Sequence, residues 1–256
     1  MAFDLNNFVI DRIVRGVALS QKDDSVLFSI NQIQNASLNC ASESADAVDA
    51  LGTPIATFYR AKSAEFSAEN ALFDMSLMAT QLGTTKRVAD SSAKITVPAM
   101  ENFTVPAGGK YTLKHTPSTE PTEVYALNGD STFGVKYEKS TTAGDGKFTI
   151  ADGVINLPTT LAGKDMFVMY EYESSKAVEV INSATEFPKG CKFVMEVLGC
   201  DVCDQTNLIY AYVIFNNFKL SPDFDWNVST DGSHPFSGKA QQDYCDKEKR
   251  LELMAA

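Results

Sequence analysis

NLIYAYVIFNNFKL, at residues 207–220, is the longest strand signal in this chain. β-branched and aromatic side chains fill the run, and these residue types pack well on the pleated surface of a sheet. At about 3.3 Å per residue, an extended segment of this length spans about 45 Å. The run therefore predicts one long β-strand, and it favours a mainly β protein.

Shorter strand signals occur on both sides of this run. Val26, Phe28 and Ile30 recur at every second position, which is the period of a strand. Comparable signals recur every ~8–12 residues, the spacing found in β-sandwiches and barrels. Asn128-Gly129 and Asp152-Gly153 favour tight hairpins, because both turn positions need a positive φ. The pattern predicts a mainly β fold of the sandwich type.

One α-helix is predicted, over residues 67–82. Ser67 is the candidate N-cap, and Glu69 lies in the first turn, where the helix dipole favours a negative charge. Gly83 follows the last turn, where a left-handed residue is favoured. Apolar residues recur between these ends at spacings of three and four, namely Leu72, Met75, Ala79 and Leu82. We expect this helix to flank the β-structure.

Residues 92–175 differ from their flanks in composition. They hold short strand signals, both hairpin dipeptides, and loops rich in Thr, Ser and Pro. We interpret 92–175 as an inserted β-rich subdomain, for which an immunoglobulin-like fold is one option, and residues 1–91 with 176–256 as one core. The segment Cys40–Gly52 is rich in Ala, Ser and Asp without any period, which predicts a long mobile loop.

The chain is acidic, with 33 Asp and Glu against 22 Lys and Arg in 256 residues, a formal net charge of −11. The negative charge is spread along the whole chain and is not collected in a tail. A protein that grips nucleic acid by its phosphates needs clustered Lys and Arg, so that class is disfavoured. No apolar stretch is long enough for a membrane span, and the charged N-terminus does not resemble a signal peptide.

The residue types that carry chemistry are few and scattered. His115 and His234 lie in turn contexts and are expected to be exposed loop side chains. Cys200 and Cys203 form a C-x-x-C pair, for which two plain turn or core cysteines are favoured, with a metal site and a redox pair as alternatives. The odd count of five cysteines predicts reduced thiols.

A cluster of acids near the C-terminus does not match a calcium-binding loop and is expected to be surface charge: Asp223, Asp225 and Asp231. No phosphate-binding loop or nucleophile elbow occurs either. We therefore predict no catalytic, cofactor-binding or metal-binding residues and no cofactor. An acidic, β-rich chain without a catalytic set is expected to be a structural or binding protein and not an enzyme.

The order of the outer segments resembles bacteriophage tail tube proteins, the major structural proteins of the virion tail. The similarity covers about two-thirds of the chain. It lies in the order of the predicted elements and in the kinds of residue that they contain. It is carried by RIVRGVAL at 12–19, SVLFSINQIQ at 25–34, AEFSAENALF at 64–73, ATQLG at 79–83, NLIYAYVIFNNFKLSPDFDW at 207–226, and FSGKAQQ at 236–242.

The resemblance implies a fold and a role. Tail tube subunits are small β-sandwiches with a flanking helix, and they close into rings, usually hexamers, by extending sheets across subunits. The rings stack into a tube through which the genome passes during ejection. For this chain the resemblance implies that its partners are copies of itself and other tail proteins, namely the terminator, the baseplate and, in contractile tails, the sheath. It implies that DNA is a partner only as a non-sticking cargo, which passes through an acidic channel without binding to it. It implies no membrane partner, a place in the virion tail, and synthesis in the host cytoplasm.

Two regions receive more specific expectations from this resemblance. The 92–175 subdomain is expected to face outward, because an insertion into the lumen would block DNA. The Cys40–Gly52 loop is expected to supply inter-ring contacts, through Asp46, Asp49 and Leu51.

Alternative functions stay open at this point. The chain could be another virion part, such as a tail terminator, a baseplate ring or a capsid decoration protein. It could also be a carbohydrate-binding adhesin-type module if aromatic side chains formed an exposed platform, for which the candidates are Tyr125, Tyr137, Tyr170 and Tyr172.

Overall fold

The computed structural model describes residues 7–242 and 251–255. The chain divides into two compact units, each mainly β. Unit 1 comprises Met1–Lys86 and Val180–Ala256, and unit 2 comprises Arg87–Glu179. The mainly β class predicted from the sequence is confirmed.

Unit 1 is built from eight strands that form a single sheet. In chain order its elements are β1 (Phe8–Ser20), β2 (Val26–Ile30), β3 (Ile33–Val48), β4 (Pro54–Asn70), α1 (Met75–Gln81), β15 (Gly190–Asp201), β16 (Asp204–Leu220), β17 (His234–Ala240) and β18 (Glu252–Ala255). The strand order is β2-β1-β15-β16-β17-β4-β3, and β18 pairs with β16. Every pair is antiparallel.

The long strand predicted at residues 207–220 is confirmed as part of β16. It pairs with β15 from Gly190↔Lys219 to Asp201↔Asp204, nearly its whole length. On its other edge, β17 pairs only with residues 218–220 and β18 only with residues 211–214. β16 therefore connects β2, β1 and β15 on one side of the sheet to β17, β4 and β3 on the other.

Phenylalanine rings from four strands form the centre of the unit 1 core. Phe66 on β4 has ring centroids of four others within 5.7–6.4 Å, namely Phe193, Phe215, Phe218 and Phe236. All five are at most 2% exposed. Burying a phenylalanine side chain contributes about 1.5–3 kcal/mol, so this cluster is a major source of the sheet's stability.

The helix prediction was wrong at its N-terminal end. The observed α1 begins at Met75, and Asp74 caps it by accepting hydrogen bonds from the N–H groups of Ser76 (2.8 Å) and Leu77 (2.7 Å). Ser67 and Glu69 lie in β4, where residues 64–70 pair with β17. Strand pairing and the burial of every second residue from Ala64 to Asn70 outweighed the local helix signals. The predicted end is confirmed, since Gly83 has a φ of 74° directly after the C-cap.

The loop prediction for Cys40–Gly52 was also wrong. Residues 33–48 form β3, which pairs with β4 in a long hairpin whose turn lies at residues 49–53. Alternation was not visible in the sequence because both faces of the hairpin are exposed, so neither face needs apolar residues.

Unit 2 has its own sheet and its own core. Its elements are β5 (Arg87–Val88), β6 (Ile95–Thr104), β7 (Lys110–Thr112), β8 (Pro117–Thr119), β9 (Glu123–Leu127), β10 (Phe133–Lys139), β11 (Lys147–Ala151), β12 (Val154–Asn156), a short 3-10 helix (Thr159–Leu161), β13 (Asp165–Ser174) and β14 (Val178–Glu179). The main strand order is β6-β13-β9-β10-β11-β12-β7, with β8 on β13, while β14 pairs with β5.

A buried carboxylate is hydrogen-bonded inside the core of unit 2. Glu101 is 3% exposed and accepts hydrogen bonds from the hydroxyls of Tyr170 and Tyr111 (2.8 Å) and from the N–H of Lys114 (3.0 Å). Burial, together with the bond to Glu101, raises the pKa of Tyr111 to about 12. Tyr170 and Tyr137 are both buried, so neither contributes to an exposed aromatic platform.

The two histidines differ in burial. His115 is exposed, as expected, and stacks on Tyr172 with ring centroids 3.9 Å apart. The same expectation was wrong for His234, which is fully buried at the start of β17. Its Nδ1 accepts from the N–H of Asp74 (3.3 Å), and its Nε2 lies 2.8 Å from Gln81 Oε1. His234 therefore connects β17 to both ends of α1.

Burial lowers the pKa of His234 below its ordinary value of 6.5. Protonation would place a hydrogen on Nδ1, where the N–H of Asp74 now donates. The unfolded chain therefore binds more protons than the folded chain once the pH falls below about 6.5. Unit 1 is fully stabilised by this group above that pH and loses the stabilisation as the pH falls.

We predict that the free energy of unfolding falls between pH 6.5 and 5 by up to about 1.4 kcal/mol per pH unit, and that His234→Gln has a shallower slope. Trp226, the only tryptophan, stacks on Phe73 at 4.2 Å and reports on unit 1 in fluorescence-monitored urea unfolding. His115→Gln is the matched control and should keep the wild-type slope. Equal slopes in the wild type and His234→Gln would contradict this role.

Candidate assembly surfaces

No group of three or more His, Cys, Asp or Glu within residues 7–242 and 251–255 is placed to hold a metal ion. In the same residues no helix is long and apolar enough to cross a membrane. Asp223, Asp225 and Asp231 are exposed on the segment between β16 and β17, as expected of surface acids.

The C-x-x-C pair lies at the turn that joins β15 to β16. Val202 and Cys203 form the turn, and the N–H of Cys203 donates to Asp201 Oδ1 (2.7 Å). The thiols of Cys200 and Cys203 are free. Of the alternatives raised above, this placement favours plain turn cysteines. Cys245 lies outside the described residues.

β1, β15 and β16 extend together past the core of unit 1, and in the described part of the chain β1 and β16 each keep one unpaired edge there. β2 pairs with β1 only at residues 16–19, so residues 8–15 of β1 are paired on one edge, by β15. Residues 204–210 of β16 are likewise paired with β15 alone, as far as the described strands go. Each unpaired edge leaves backbone N–H and C=O groups open to another strand. Apolar side chains beside these edges are exposed: Val9, Ile10, Leu208 and Tyr210.

A polar ladder holds these three strands together on the face opposite the core. Arg15, Glu196 and Tyr212 are direct cross-strand partners. Arg15 Nε donates to Glu196 Oε2 (2.7 Å), and the Tyr212 hydroxyl donates to Glu196 Oε1 (3.1 Å). The hydrogen bond to Glu196 raises the pKa of Tyr212. Because both partners satisfy Glu196, this 9% exposed carboxylate does not contribute a free negative charge to that face.

The second surface is the hairpin arm, which we define as residues 41–63 of β3 and β4. β17 pairs with β4 only from Ala64 onward, so the arm consists of two strands paired with each other. Its side chains are exposed on both faces, and they include five large apolar residues: Val48, Leu51, Ile55, Phe58 and Tyr59. An isolated two-stranded hairpin is only marginally stable in water, so this exposed apolar surface favours a partner.

The arm tip brings together the residues expected to make inter-ring contacts. Asp49 Oδ1 accepts from the N–H groups of Leu51 and Thr53, both at 2.8 Å, and closes the turn. The hydrogen bonds from Thr53 and Leu51 lower the pKa of Asp49. Leu51 is 91% exposed at the turn, and Asp46 lies opposite Thr57 on the adjoining strand pair. Sequence reasoning missed the apolar residues on the arm's strands, although Ile55–Tyr59 carries a strand signal.

Most of the negative charge belongs to unit 1. Residues 1–86 and 180–256 hold 21 acids and 13 bases, whereas residues 87–179 hold 12 acids and 9 bases. Acidic pairs lie at opposite ends of the β1-β15-β16 strands, with Asp23 and Asp24 after β1 and Asp201 and Asp204 at the turn after β15. Arg12 and Arg15 lie between these ends on β1.

The open strand edges and the exposed apolar arm are surfaces of the kind that contact other chains. Comparison with known proteins agrees with this. The model of the YomU/Tube protein family matches residues 8–250, nearly the whole chain. No curated protein matches the chain. The resemblance to phage tail tube proteins is confirmed, and the chain belongs to the YomU/Tube protein family.

Proposed function

We propose that this protein is the subunit of a phage tail tube, and that copies close into a ring by pairing β1 of one subunit with β16 of the next. The observation that carries the proposal is the pair of unpaired edges on opposite sides of the β1-β15-β16 strands. Since β1 and β16 both run antiparallel to β15, they run parallel to each other, and the inter-subunit pair is parallel.

This contact is heterologous, because a different edge is used on each side of it. Repeated head-to-tail contacts of this kind close into a ring when the rotation between subunits closes. We take the ring to be a hexamer, as the resemblance to tail tubes implies. Closure would remove both open edges of every subunit, which otherwise invite aggregation.

The hairpin arm makes the contacts between stacked rings. Asp46, Asp49 and Leu51 at the tip supply two charges and one exposed apolar side chain for this contact. Stacking would cover the apolar side chains of the arm and supply the packing that a free two-stranded hairpin lacks.

The tube conducts the genome during ejection. The face that bears Arg15 lines the channel, so that Asp23 and Asp24 lie at one mouth of each ring and Asp201 and Asp204 at the other. Carboxylates at both mouths repel DNA phosphates, and the genome passes without binding. The protein is a structural part of the virion tail with no enzymatic activity, and it meets other tail proteins at the ends of the tube. Unit 2, the inserted subdomain, faces away from the channel.

We predict that Ile10→Lys or Leu208→Lys weakens ring closure, because each places a charge beside one edge of the parallel pair. The subunit should stay folded, since both side chains are exposed and surface changes cost about 0.5 kcal/mol or less. Rings should need at least about tenfold higher protein concentration, as measured by light scattering and negative-stain microscopy. Val228→Lys, on an exposed residue of the segment between β16 and β17, is the control. Rings formed by both edge variants at wild-type concentration would refute the pairing.

A change at the arm tip should separate stacking from ring closure. We expect Leu51→Asp to leave single rings intact and to abolish long tubes in negative-stain images, because a third acid replaces the exposed apolar contact. Leu51→Met keeps the apolar contact and should assemble like the wild type. Normal tubes from a variant in which Asn-Gly replaces residues 42–62 would show that the arm is not the stacking element.

The channel assignment predicts the charge distribution in a reconstructed ring. Asp23 and Asp24 should lie around one mouth, Asp201 and Asp204 around the other, with Arg12 and Arg15 on the wall between them. High-resolution electron microscopy of assembled tubes would measure this. A lumen without excess carboxylates at its mouths would contradict the assignment.

A further inference from the structure

A groove of about 510 Å³ crosses the outer face of β3, β4, β17 and the end of β16 in unit 1. Its floor is a row of serines in direct cross-strand register, Ser37, Ser67 and Ser237. The next row of cross-strand partners, Glu65, Lys239 and Lys219, has long side chains. The short serine side chains therefore leave a depression beside that row. The groove is therefore a product of strand register, and its floor offers hydroxyl groups to an occupant.

The neighbouring row gives the groove a positive wall. Lys219 and Lys239 are direct cross-strand partners, an arrangement in which like charges destabilise a sheet. Lys239 Nζ is neutralised by Glu65 Oε1 at 2.7 Å. Among residues 7–242 and 251–255, Lys219 has no acid within ion-pair distance. An occupant with a carboxylate would relieve this repulsion.

The arm tip has the complementary chemistry. It presents Asp46 and Asp49 around the exposed Leu51, and one oxygen of Asp49 is already used by the turn, which holds the other in a defined position. The tip cannot reach the groove of its own subunit. Ser67 lies about 13 residues along β4 from the turn, or roughly 40 Å of extended strand.

We infer that the serine groove of one subunit receives the hairpin-arm tip of a subunit in the adjacent ring, with Lys219 and Lys239 binding Asp46 and Asp49. This inference rests on the proposed stacking function and names the surface that receives the arm. It also sets the axial repeat of the tube at about the distance from the arm tip to the groove, roughly 40 Å, if the arms lie along the tube axis.

Charge reversal tests the contact on assembled protein. Lys219→Glu and Asp46→Lys should each leave ring formation unchanged and reduce the mean number of stacked rings about tenfold, because each places like charges in contact. The double variant Lys219→Glu with Asp46→Lys should restore long tubes, because the pair is re-formed with its signs exchanged. Lys110→Glu, which makes the same charge change in unit 2, is the control and should stack like the wild type.

The outcomes separate this inference from the function on which it rests. Absence of rings in the wild type would refute the tube function itself. Normal tubes from Lys219→Glu would overturn the groove and leave the tube function standing. Loss of stacking in both single variants without restoration in the double variant would also overturn the Lys219–Asp46 contact, since it would place the two charges in different interfaces.

Discussion

The pairing of β15 with β1 on one edge and β16 on the other is the interaction on which the rest of unit 1 depends. It runs nearly the full length of all three strands, and one face of it contributes Phe193, Phe215 and Phe218 to the aromatic core. The opposite face carries the Arg15–Glu196–Tyr212 ladder, which fixes the same three strands by charge-assisted hydrogen bonds. Because the core covers only part of this length, the remainder extends past the core with one open edge on β1 and one on β16 among the described strands.

The chain retains features that would be unfavourable in an isolated monomer. Open strand edges promote unwanted pairing, and the arm exposes large apolar side chains on a hairpin that has no third strand. The cross-strand lysines beside the serine groove add electrostatic repulsion. In the proposed tube, contact with another copy of the chain would remove each of these costs.

Local signals failed where tertiary pairing competed with them. The Ser67–Gly83 stretch has helix-like spacing, yet its first part is held in β4 by β17, and the helix begins only at the cap offered by Asp74. His234 lies in a sequence typical of a turn, and its burial follows from α1 packing over the start of β17, which no local pattern reveals. The arm has a loop-like sequence because a hairpin exposed on both faces carries no hydrophobic period.

Local residue patterns are enough to predict the mainly β class, the long strand at 207–220 and the end of the helix at Gly83, and the order of the outer segments carries the resemblance to tail tube proteins. The first three rest on residue composition, periodicity and turn chemistry, all of which act over a few neighbouring positions. Only the folded chain shows which edges stay unpaired, that Asp46, Asp49 and Leu51 share the tip of an arm, and that three serines line one groove. Those features depend on the register between strands far apart in the chain, and register is set by burial of the shared core.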